Sequence, residues 1–429
     1  MAVRILATAD LHLGRTSSGV PENADECSTK FTWHRMVEWC VRNNIDVMLL
    51  AGDVVDEDNR FFEAVGPLQF GFDRLKKAGI EVFMIAGNHD HDVLSQITGN
   101  SQYKHVHILG AGGNWEIQTH SKGDQKVQFI GWSFPRKYVT EEPLRALHNL
   151  EPNPDQVTIG LLHGEVNTPD SKYAPLVLGH LKELPVDAWI LGHIHKPVEF
   201  QSKDPFVAYT GTPHALNSGE PSIHGPVLLE VEGKRDIRVK RIPLSPVRYE
   251  FLRIDVSRAE DEESFRNMLS SGLLGHARRD IQELENVAYL VYDIELKGQS
   301  SQTRQIDVWK HQLMDYTTEL ETGTRVSVRK VLNHVQPQVQ NLEELARNES
   351  PAGKLAETIL AIQNGQSTNF LDELIRGWYM QVNRIDSASA YHPLRKENRL
   401  RQKTEKEARE YILEECNRLL GVLLTQQQK

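Results

Sequence analysis

The sequence predicts a layered α/β protein that continues into a small α/β accessory domain and a helical C-terminal tail. Up to about residue 245, short apolar runs typical of strands alternate with helical patterns. The pattern then restarts on a smaller scale, and apolar residues recur at helical spacing towards the C-terminus. We therefore expect a main domain at 1–245, an accessory domain at 246–335, a linker at 336–353 and a helical tail at 354–429.

The strands expected in the main domain are nearly all apolar, as in sheets that are covered on both faces. Polar clusters follow the C-terminal ends of these strands, which is where open α/β sheets bind ligands. The predicted strands lie at 3–8, 45–51, 82–86, 127–134, 157–162, 188–191 and 226–232.

The accessory domain and the tail show the same two kinds of pattern. The accessory domain is expected to have a helix near 260–273 and strands at 251–256, 287–296 and 325–332. In the tail, Thr404 and Glu407 form a capping box that opens the last predicted helix. A modest basic stretch at 391–410 leads into this helix, and such stretches are usually solvated faces.

Composition and charge exclude several classes of protein. No apolar run approaches the roughly 18 residues needed to span a bilayer, and the first residues predict a core strand, so we expect a cytoplasmic protein without membrane insertion. The three cysteines are widely separated and form no CxxC pair, which argues against a disulfide framework and a thiolate metal site. Because the net charge is -10, contact with nucleic acid must be local, metal-assisted or shared with a partner.

Five short polar motifs follow the predicted strands of the main domain. Each motif alone is weak evidence, because residues two apart on a strand share a face in any protein. Together they bring four histidines, two aspartates and one asparagine to one rim, which is a ligand set for two divalent ions bridged by a carboxylate. The predicted ligands are Asp10, His12, Asp53, Asn88, His163, His193 and His195.

The residue types in this set indicate the chemistry of the site. Two cations about 3.5 to 4 Å apart repel each other unless an anion lies between them, and Asp53, in the middle of the set, is the natural bridge. A shell of imidazole and oxygen ligands without cysteine suits manganese, iron or zinc better than calcium or magnesium.

These motifs, in this order, resemble those of the calcineurin-like metallophosphoesterase superfamily, and within it the SbcD-type DNA repair nucleases and their YhaO-like relatives. The resemblance runs from Ile5 to about Val231 and includes DLHLG at 10–14, LGHIHKP at 191–197 and YTGTP at 209–213. It implies a four-layer αββα sandwich and two metal ions, with manganese as the expected metal. One ion would be held by Asp10, His12, Asp53 and His195, and the other by Asp53, Asn88, His163 and His193.

The resemblance also implies a reaction. A metal-bound hydroxide would attack phosphorus in line, and His89, oriented by Asp90, would protonate the leaving oxygen. Two plainer interpretations stay open: His89 only positions Asn88, and Asp90 is a partner of an imidazole rather than a participant.

Two departures from the family pattern bear on the substrate. Some of the nucleases carry a histidine three residues after the bridging aspartate, where this chain has Asp56, so the phosphate contact of that histidine is missing. The protein Ser/Thr phosphatases of the superfamily continue with a phosphate-clamping arginine, whereas this chain continues with Glu57, which would repel a dianionic monoester. Diesters are therefore favoured over phosphoproteins.

We therefore expect a DNA exonuclease or endonuclease subunit of an SbcCD-like repair or defence complex. The resemblance implies a homodimer through helices of the main domain, and a helical tail that docks an SMC-like coiled-coil ATPase, either SbcC-type or YhaN-like. On sequence alone the tail could equally pack on the chain's own domains. A small-molecule phosphodiesterase or nucleotidase is the alternative, against which the long accessory region argues. A non-catalytic scaffold is the third interpretation, against which the intact ligand set argues.

Overall fold

Strands and helices alternate along the first 250 residues of the chain and give way to helices at its C-terminal end. The computed structural model describes residues 2–21, 24–59, 63–98, 103–147, 151–234, 236–338, 341–386 and 403–427. Part of the basic stretch predicted at 391–410 therefore lies outside the described residues. By internal contacts the chain divides into one unit of Met1–Phe251, Ala277–Asp293 and Asp315–Lys330, and a second of Leu252–His276, Ile294–Met314 and Val331–Lys429.

The strands are short, and many begin or end within a few residues of the predicted bounds. In chain order they are β1 (Val3–Thr8), β2 (Val47–Ala51), β3 (Glu81–Ile85), β4 (Val106–Ile108), β5 (Trp115–Lys122), β6 (Gln125–Trp132), β7 (Val157–His163), β8 (Glu165–Val166), β9 (Pro175–Leu176), β10 (Ala188–Gly192), β11 (Val198–Gln201), β12 (Phe206–Tyr209), β13 (Val227–Gly233), β14 (Asp236–Arg241), β15 (Val247–Asp255), β16 (Tyr289–Lys297), β17 (Gln299–Ser300), β18 (Thr317–Glu319), β19 (Arg325–Asn333) and β20 (Gln336–Pro337).

The longest helices lie beyond residue 260. The α-helices are α1 (Thr29–Arg42), α2 (Val65–Lys77), α3 (Leu94–Thr98), α4 (Leu178–Glu183), α5 (Glu262–Arg279), α6 (Thr303–Trp309), α7 (Leu342–Leu345), α8 (Pro351–Gln363), α9 (Asn369–Asp386) and α10 (Glu405–Gln427). Within the described residues, no helix is long and apolar enough to cross a membrane.

Two six-stranded sheets form the core of the first unit. The first has the order β14-β13-β1-β2-β3-β4, in which β1 to β4 are parallel. Strand β13 pairs antiparallel with both β1 and β14. The second has the order β11-β12-β10-β7-β6-β5, in which the four central strands are parallel and each edge strand is antiparallel. Neighbouring parallel strands end at the same edge of a sheet, so the loops after β1, β2 and β3 lie together, as do those after β7 and β10.

Burial on both faces explains why the central strands are continuous apolar runs. In β1, Ile5 lies in the core shared by the two sheets with Phe129 of β6, whereas its neighbour Leu6 packs in a second cluster with Trp33 of α1. Successive residues of a strand point to opposite faces, so both faces must be apolar. A third cluster around Trp189, which α4 helps to cover, lies on the outer face of the second sheet. The predicted four-layer arrangement follows from these three clusters.

The C-terminal part of the chain adds a smaller sheet and a group of helices. Strands β15, β16, β19 and β18 form a four-stranded sheet in that order. In the second unit, α8, α9 and α10 pack around apolar side chains that include Ile359, Leu371 and Ile412. The predicted capping box is present: the backbone N–H of Glu407 donates to Thr404 Oγ1 at 3.3 Å, and that of Thr404 donates to Glu407 Oε2 at 2.8 Å. The mixed α/β class with parallel sheets and a helical C-terminal region is confirmed.

Some elements were not predicted from the sequence. The edge strands β4, β5, β11 and β14 and the central strand β12 lie outside the predicted ranges. The segment 336–353, expected as a linker, contains β20, α7 and the first residues of α8. The division of the chain into four functional segments stays a prediction.

Candidate metal centre

The loops that follow the parallel strands carry all seven predicted ligands. In the first sheet, Asp10 and His12 come after β1, Asp53 after β2 and Asn88 after β3. In the second sheet, His163 ends β7, and His193 and His195 follow β10. Six of the seven belong to groups whose ligand atoms lie within 4.8 Å of one another, and the amide oxygen of Asn88 lies against two of those six. The structure therefore brings the whole predicted set together.

The first group consists of Asp10, His12 and His195. The Nε2 atoms of His12 and His195 face each other at 3.1 Å. Both oxygens of Asp10 accept the backbone N–H of His193, at 2.9 and 3.1 Å, which fixes the carboxylate at the start of the last motif. These three side chains match the membership predicted for one metal ion.

The second group consists of Asp53, His163 and His193, with Asn88 beside them. Asn88 Oδ1 lies 3.2 Å from His163 Nε2 and 3.1 Å from His193 Nδ1. Asp53 Oδ2 lies 3.2 Å from His163 Nε2. These four side chains match the membership predicted for the other metal ion.

Asp53 lies between the two groups. Its Oδ2 atom is 3.2 Å from His163 Nε2 in the second group and 3.9 Å from His12 Nε2 in the first. Its Oδ1 atom accepts the backbone N–H of His89 at 2.8 Å, which orients the carboxylate. A carboxylate in this position can neutralise charge on both sides, as a bridge between two cations must.

The backbone of the site is held in an unusual conformation. Asp10, His12, Asp53 and His193 have φ angles of 55°, 47°, 49° and 98°, in the left-handed region that side chains with a Cβ rarely adopt. Each such residue costs on the order of 1–3 kcal/mol, and such residues cluster at functional sites. Gly87 adds a steric requirement, because a Cβ there would overlap the carboxylate of Asp53. The loops are therefore built for the positions of these side chains at some expense of stability.

The hydrogen bonds of His163 test whether the residues fit a cation. Its Nδ1 lies 3.0 Å from the carbonyl oxygen of Ala51, to which it donates its proton. Its Nε2 is then an electron-pair donor that faces two more acceptors, Asp53 Oδ2 and Asn88 Oδ1, each at 3.2 Å. Three acceptors can face one another only around a positive charge, which either a metal ion or a proton on Nε2 supplies. The set therefore fits a metal ion at this place.

The electrostatics of the buried groups agree with a centre that needs positive charge. Burial alone would raise the pKa of Asp53, but the imidazoles of His163, His12 and His89 outweigh it and hold that pKa below its ordinary value. Burial likewise opposes the charged form of His163, yet Asp53 and Asp10 raise its pKa to about 9. Without a metal ion, a proton on His163 takes the place of the cation.

His89 and Asp90, the two predicted catalytic residues, lie in different surroundings. The ring of His89 packs edge-on against that of His12, with centroids 4.9 Å apart, and 32% of its side chain is exposed. Burial lowers the pKa of His89, although Asp53 acts in the opposite direction. The carboxylate of Asp90 is fully buried, and burial together with the charge of Asp53 raises its pKa to about 7.

The contacts of Asp90 are with backbone amides. Its Oδ2 accepts the N–H groups of Val54 and Val55 at 2.6 and 3.3 Å, and its Oδ1 accepts that of Gly87 at 2.7 Å. Asp90 thus ties the loop after β2 to the loop after β3. Its expected role in orienting His89 stays a prediction.

Three carboxylates that were not predicted as ligands contact the imidazoles of the site. Glu165 Oε1 lies 3.1 Å from His193 Nε2, Glu220 Oε1 lies 2.7 Å from His195 Nδ1, and Asp56 Oδ1 lies 3.3 Å from His12 Nδ1. A carboxylate on the far nitrogen of a ligating imidazole fixes its orientation and tautomer. Asp56 therefore has a structural partner at the position where some nucleases carry histidine.

The sequence indicates some of these carboxylates better than others. Glu165 follows His163 by two residues, so proximity in the sequence could have found it. Glu220 lies in a loop 25 residues beyond His195, and no local pattern connects the two. Glu57 was expected to repel monoesters, but both its oxygens lie 2.6 Å from Lys137 Nζ, which reduces that repulsion.

Comparison with known proteins gives a family and several relatives. Residues 3–197 match the family of calcineurin-like phosphoesterases. The chain is 29% identical over 269 residues to the metallophosphoesterase YhaO of Bacillus subtilis, covering 61% of this chain and 65% of that protein. It is 26% identical over 257 residues to the SbcD subunit of the nuclease SbcCD of Bacillus subtilis, covering 51% and 63%.

A third relative is more distant. The DNA double-strand break repair protein Mre11 of Methanopyrus kandleri is 23% identical over 281 residues, covering 60% of this chain and 58% of that protein. The matches thus span less than two thirds of the length of each of these relatives. The segment that matches the phosphoesterase family, residues 3–197, contains all seven clustered ligands. It also contains the strands of both six-stranded sheets, except for β11 to β14. Residues 3–197 thus match a calcineurin-like phosphoesterase domain.

Proposed function

We propose that this protein is a two-metal phosphodiesterase that cleaves DNA. The observation that carries the proposal is the convergence of Asp10, His12, Asp53, Asn88, His163, His193 and His195 from five loops onto one rim. We propose manganese as the metal, because imidazole and oxygen ligands without thiolate suit it. Two bound cations would supply an activated water at neutral pH and would offset the charge that develops on the phosphoryl oxygens.

The side chains of the protein would hold the two cations and orient the ligands around them. Asp53 would neutralise both cations, and its second oxygen, held by the N–H of His89, would keep the bridge in one orientation. Glu165 and Glu220 would hold the rings of His193 and His195 through their far nitrogens. His89, whose ring is partly exposed beside His12, is our proposed proton donor to the leaving oxygen.

The preference for DNA rests on the relatives rather than on the cluster. Two of the matched proteins are named as part of a nuclease and as a DNA double-strand break repair protein. The ion pair of Glu57 with Lys137 weakens the argument against monoesters that the sequence alone offered. We propose that the enzyme acts as an exonuclease or endonuclease in an SbcCD-like repair or defence complex.

Assembly with other chains is part of the same proposal. Apolar side chains are exposed on the tail helices, including Met380 of α9 and Val422 of α10, and they offer a surface for an SMC-like coiled-coil ATPase. Phe70 of α2 is 51% exposed, and this exposed apolar side chain supports a homodimer through helices of the main domain. In this proposal 1–245 is the nuclease domain, 246–335 a capping domain and 354–429 the docking tail.

One experiment separates this proposal from its alternative. Purified protein would be incubated with Mn²⁺ and, in parallel, linear duplex DNA, single-stranded DNA or bis(4-nitrophenyl) phosphate. We expect metal-dependent cleavage of DNA that Asp53→Asn abolishes. Hydrolysis of the aryl diester without action on any DNA, even beside a coiled-coil ATPase, would favour a small-molecule phosphodiesterase or nucleotidase. Failure to hydrolyse either diester would contradict both enzymatic functions.

A further inference from the structure

Two tyrosines continue outward from the metal centre. The ring of Tyr173 lies against that of His193, with centroids 4.8 Å apart and an angle of 36° between the planes. The ring of Tyr138 lies 5.7 Å from that of Tyr173. Tyr138 is 49% exposed, whereas Tyr173 is half-buried beneath it. We call these two rings the tyrosine platform; it leads from a candidate metal ligand to the surface.

The platform is held in place by backbone hydrogen bonds. Val139 and Tyr173 form an isolated parallel bridge, in which Val139 N–H donates to Lys172 O at 2.8 Å and Ala174 N–H donates to Val139 O at 2.7 Å. On the other side of Tyr138, the guanidinium Nε of Arg136 donates to the carbonyl oxygen of Tyr138 at 3.1 Å. The backbone that carries both tyrosines is therefore fixed without a ligand, which lowers the entropy cost of binding one.

Cationic side chains border the platform. Arg136 and Lys172 are exposed next to Tyr138 and Tyr173 in the sequence, and the ammonium of Lys137 lies 5.8 Å from the centre of the Tyr138 ring. Lys137 is paired with Glu57, so Arg136 and Lys172 are the cations available for another anion. Although the chain as a whole has a net charge of -10, this surface is suited to phosphate.

We propose that the tyrosine platform stacks an unpaired base of a DNA strand next to the phosphodiester that is cleaved. Exposed aromatic rings bordered by Arg and Lys are the combination that binds single-stranded nucleic acid, because every base has a π-face and every linkage a charge. This inference rests on the proposed function and adds to it a preference for single-stranded DNA or frayed ends. The competing possibility is that the two rings only cover His193.

The exposure of Tyr138 decides between these two roles. Of the two tyrosines, Tyr173 is the one whose ring contacts His193, so a covering role requires Tyr173 and leaves half of Tyr138 facing solvent. A half-exposed ring with the ammonium of Lys137 beside it, and with exposed Arg136 and Lys172 near the two tyrosines in the sequence, is placed to receive a flat ligand. Stacking of a base on such a ring contributes roughly 1–3 kcal/mol, which corresponds to a loss of about fivefold to 150-fold in affinity when the ring is removed.

The test measures binding apart from hydrolysis. Fluorescence anisotropy with a labelled single-stranded DNA oligonucleotide would be recorded in EDTA for the wild type, Tyr138→Leu and Tyr138→Phe. Tyr411→Leu is the matched control, because Tyr411 is 51% exposed but lies on α10. We expect Tyr138→Leu to raise the Kd at least fivefold, and Tyr138→Phe and Tyr411→Leu to stay within about twofold of the wild type.

A second probe isolates the stacked base. The second oligonucleotide carries one abasic site at the stacked position, which is found by moving the site along the strand. The wild type should bind it more weakly than the intact oligonucleotide, whereas Tyr138→Leu should bind both with the same affinity. Equal affinities of the wild type and Tyr138→Leu, or no binding of single-stranded DNA by the wild type, would overturn the inference. If binding depends on Tyr138 but the protein cleaves no DNA when Mn²⁺ is added, the result would support the tyrosine platform and contradict the proposed function.

Discussion

Glu220 offers a sharp test of the site, because it touches the proposed metal ligands at only one imidazole. Its Oε1 lies 2.7 Å from His195 Nδ1, and its Oε2 accepts the backbone N–H of Leu216 at 2.6 Å. In Glu220→Gln one amide oxygen must serve both donors, so one of the two hydrogen bonds is lost. A hydrogen bond to a charged group contributes about 1.5–3 kcal/mol. We therefore expect a loss of roughly 10- to 100-fold in metal affinity, the range found for partners of ligating histidines.

The assay is a titration of metal-free protein with Mn²⁺, followed by calorimetry or by the electron paramagnetic resonance signal of the free ion. Glu142→Gln is the control, because Glu142 Oε1 likewise bonds an imidazole, His180 Nδ1 at 2.9 Å, and the backbone N–H of Val177 at 3.0 Å, outside the clustered ligands. That variant should bind Mn²⁺ like the wild type. Equal affinities of Glu220→Gln and the wild type would refute the claim that His195 is a ligand oriented by Glu220.

Three further predictions follow from the geometry. Gly87→Ala should abolish metal binding and lower the Tm, since a Cβ would overlap the carboxylate of Asp53; normal metal content in this variant would contradict the packing. Gly66→Ala, with open space around it in α2, should keep its metal and should not lower the Tm. His89→Ala should keep its metal and lose turnover, and a near-normal rate would remove it from the proton-donor role. Burial lowers the pKa of His214 to about 4, so below pH 6.5 the unfolded chain takes up a proton that the folded one does not. The free energy of unfolding should fall by about 3 kcal/mol between pH 6.5 and 4, and urea titrations of His214→Gln should lack this part of the decrease; parallel profiles would contradict it.

The sequence predicted the central strands well because they are buried on both faces. A run such as that of β2, in which all five residues are buried, is typical of a strand covered on both sides. The edge strand β5, Trp115–Lys122, is polar throughout its second half and has exposed positions, so it was not recognised. Edge strands carry the weaker signal because one side of them faces water.

The ligand set could be predicted for a related reason. Each ligand directly follows a recognisable strand, and parallel strands place such loops together. The supporting carboxylates are different, because Glu220 reaches His195 only through the folding of an intervening loop. The contacts of Asp90 illustrate the same limit: its hydrogen bonds go to the amides of Val54, Val55 and Gly87, and no spacing in the sequence indicates these partners. Local spacing reveals ligands at strand ends, but not the partners that come from elsewhere in the chain.

The most direct test of a two-metal centre is the metal content of the protein after reconstitution with Mn²⁺ and removal of free ions, measured by inductively coupled plasma mass spectrometry. We predict two manganese ions per chain in the wild type and a loss of both in Asp53→Asn, because one carboxylate lies between the two groups of ligands. A wild type without bound transition metal, or an Asp53→Asn variant that retains both ions, would contradict this prediction.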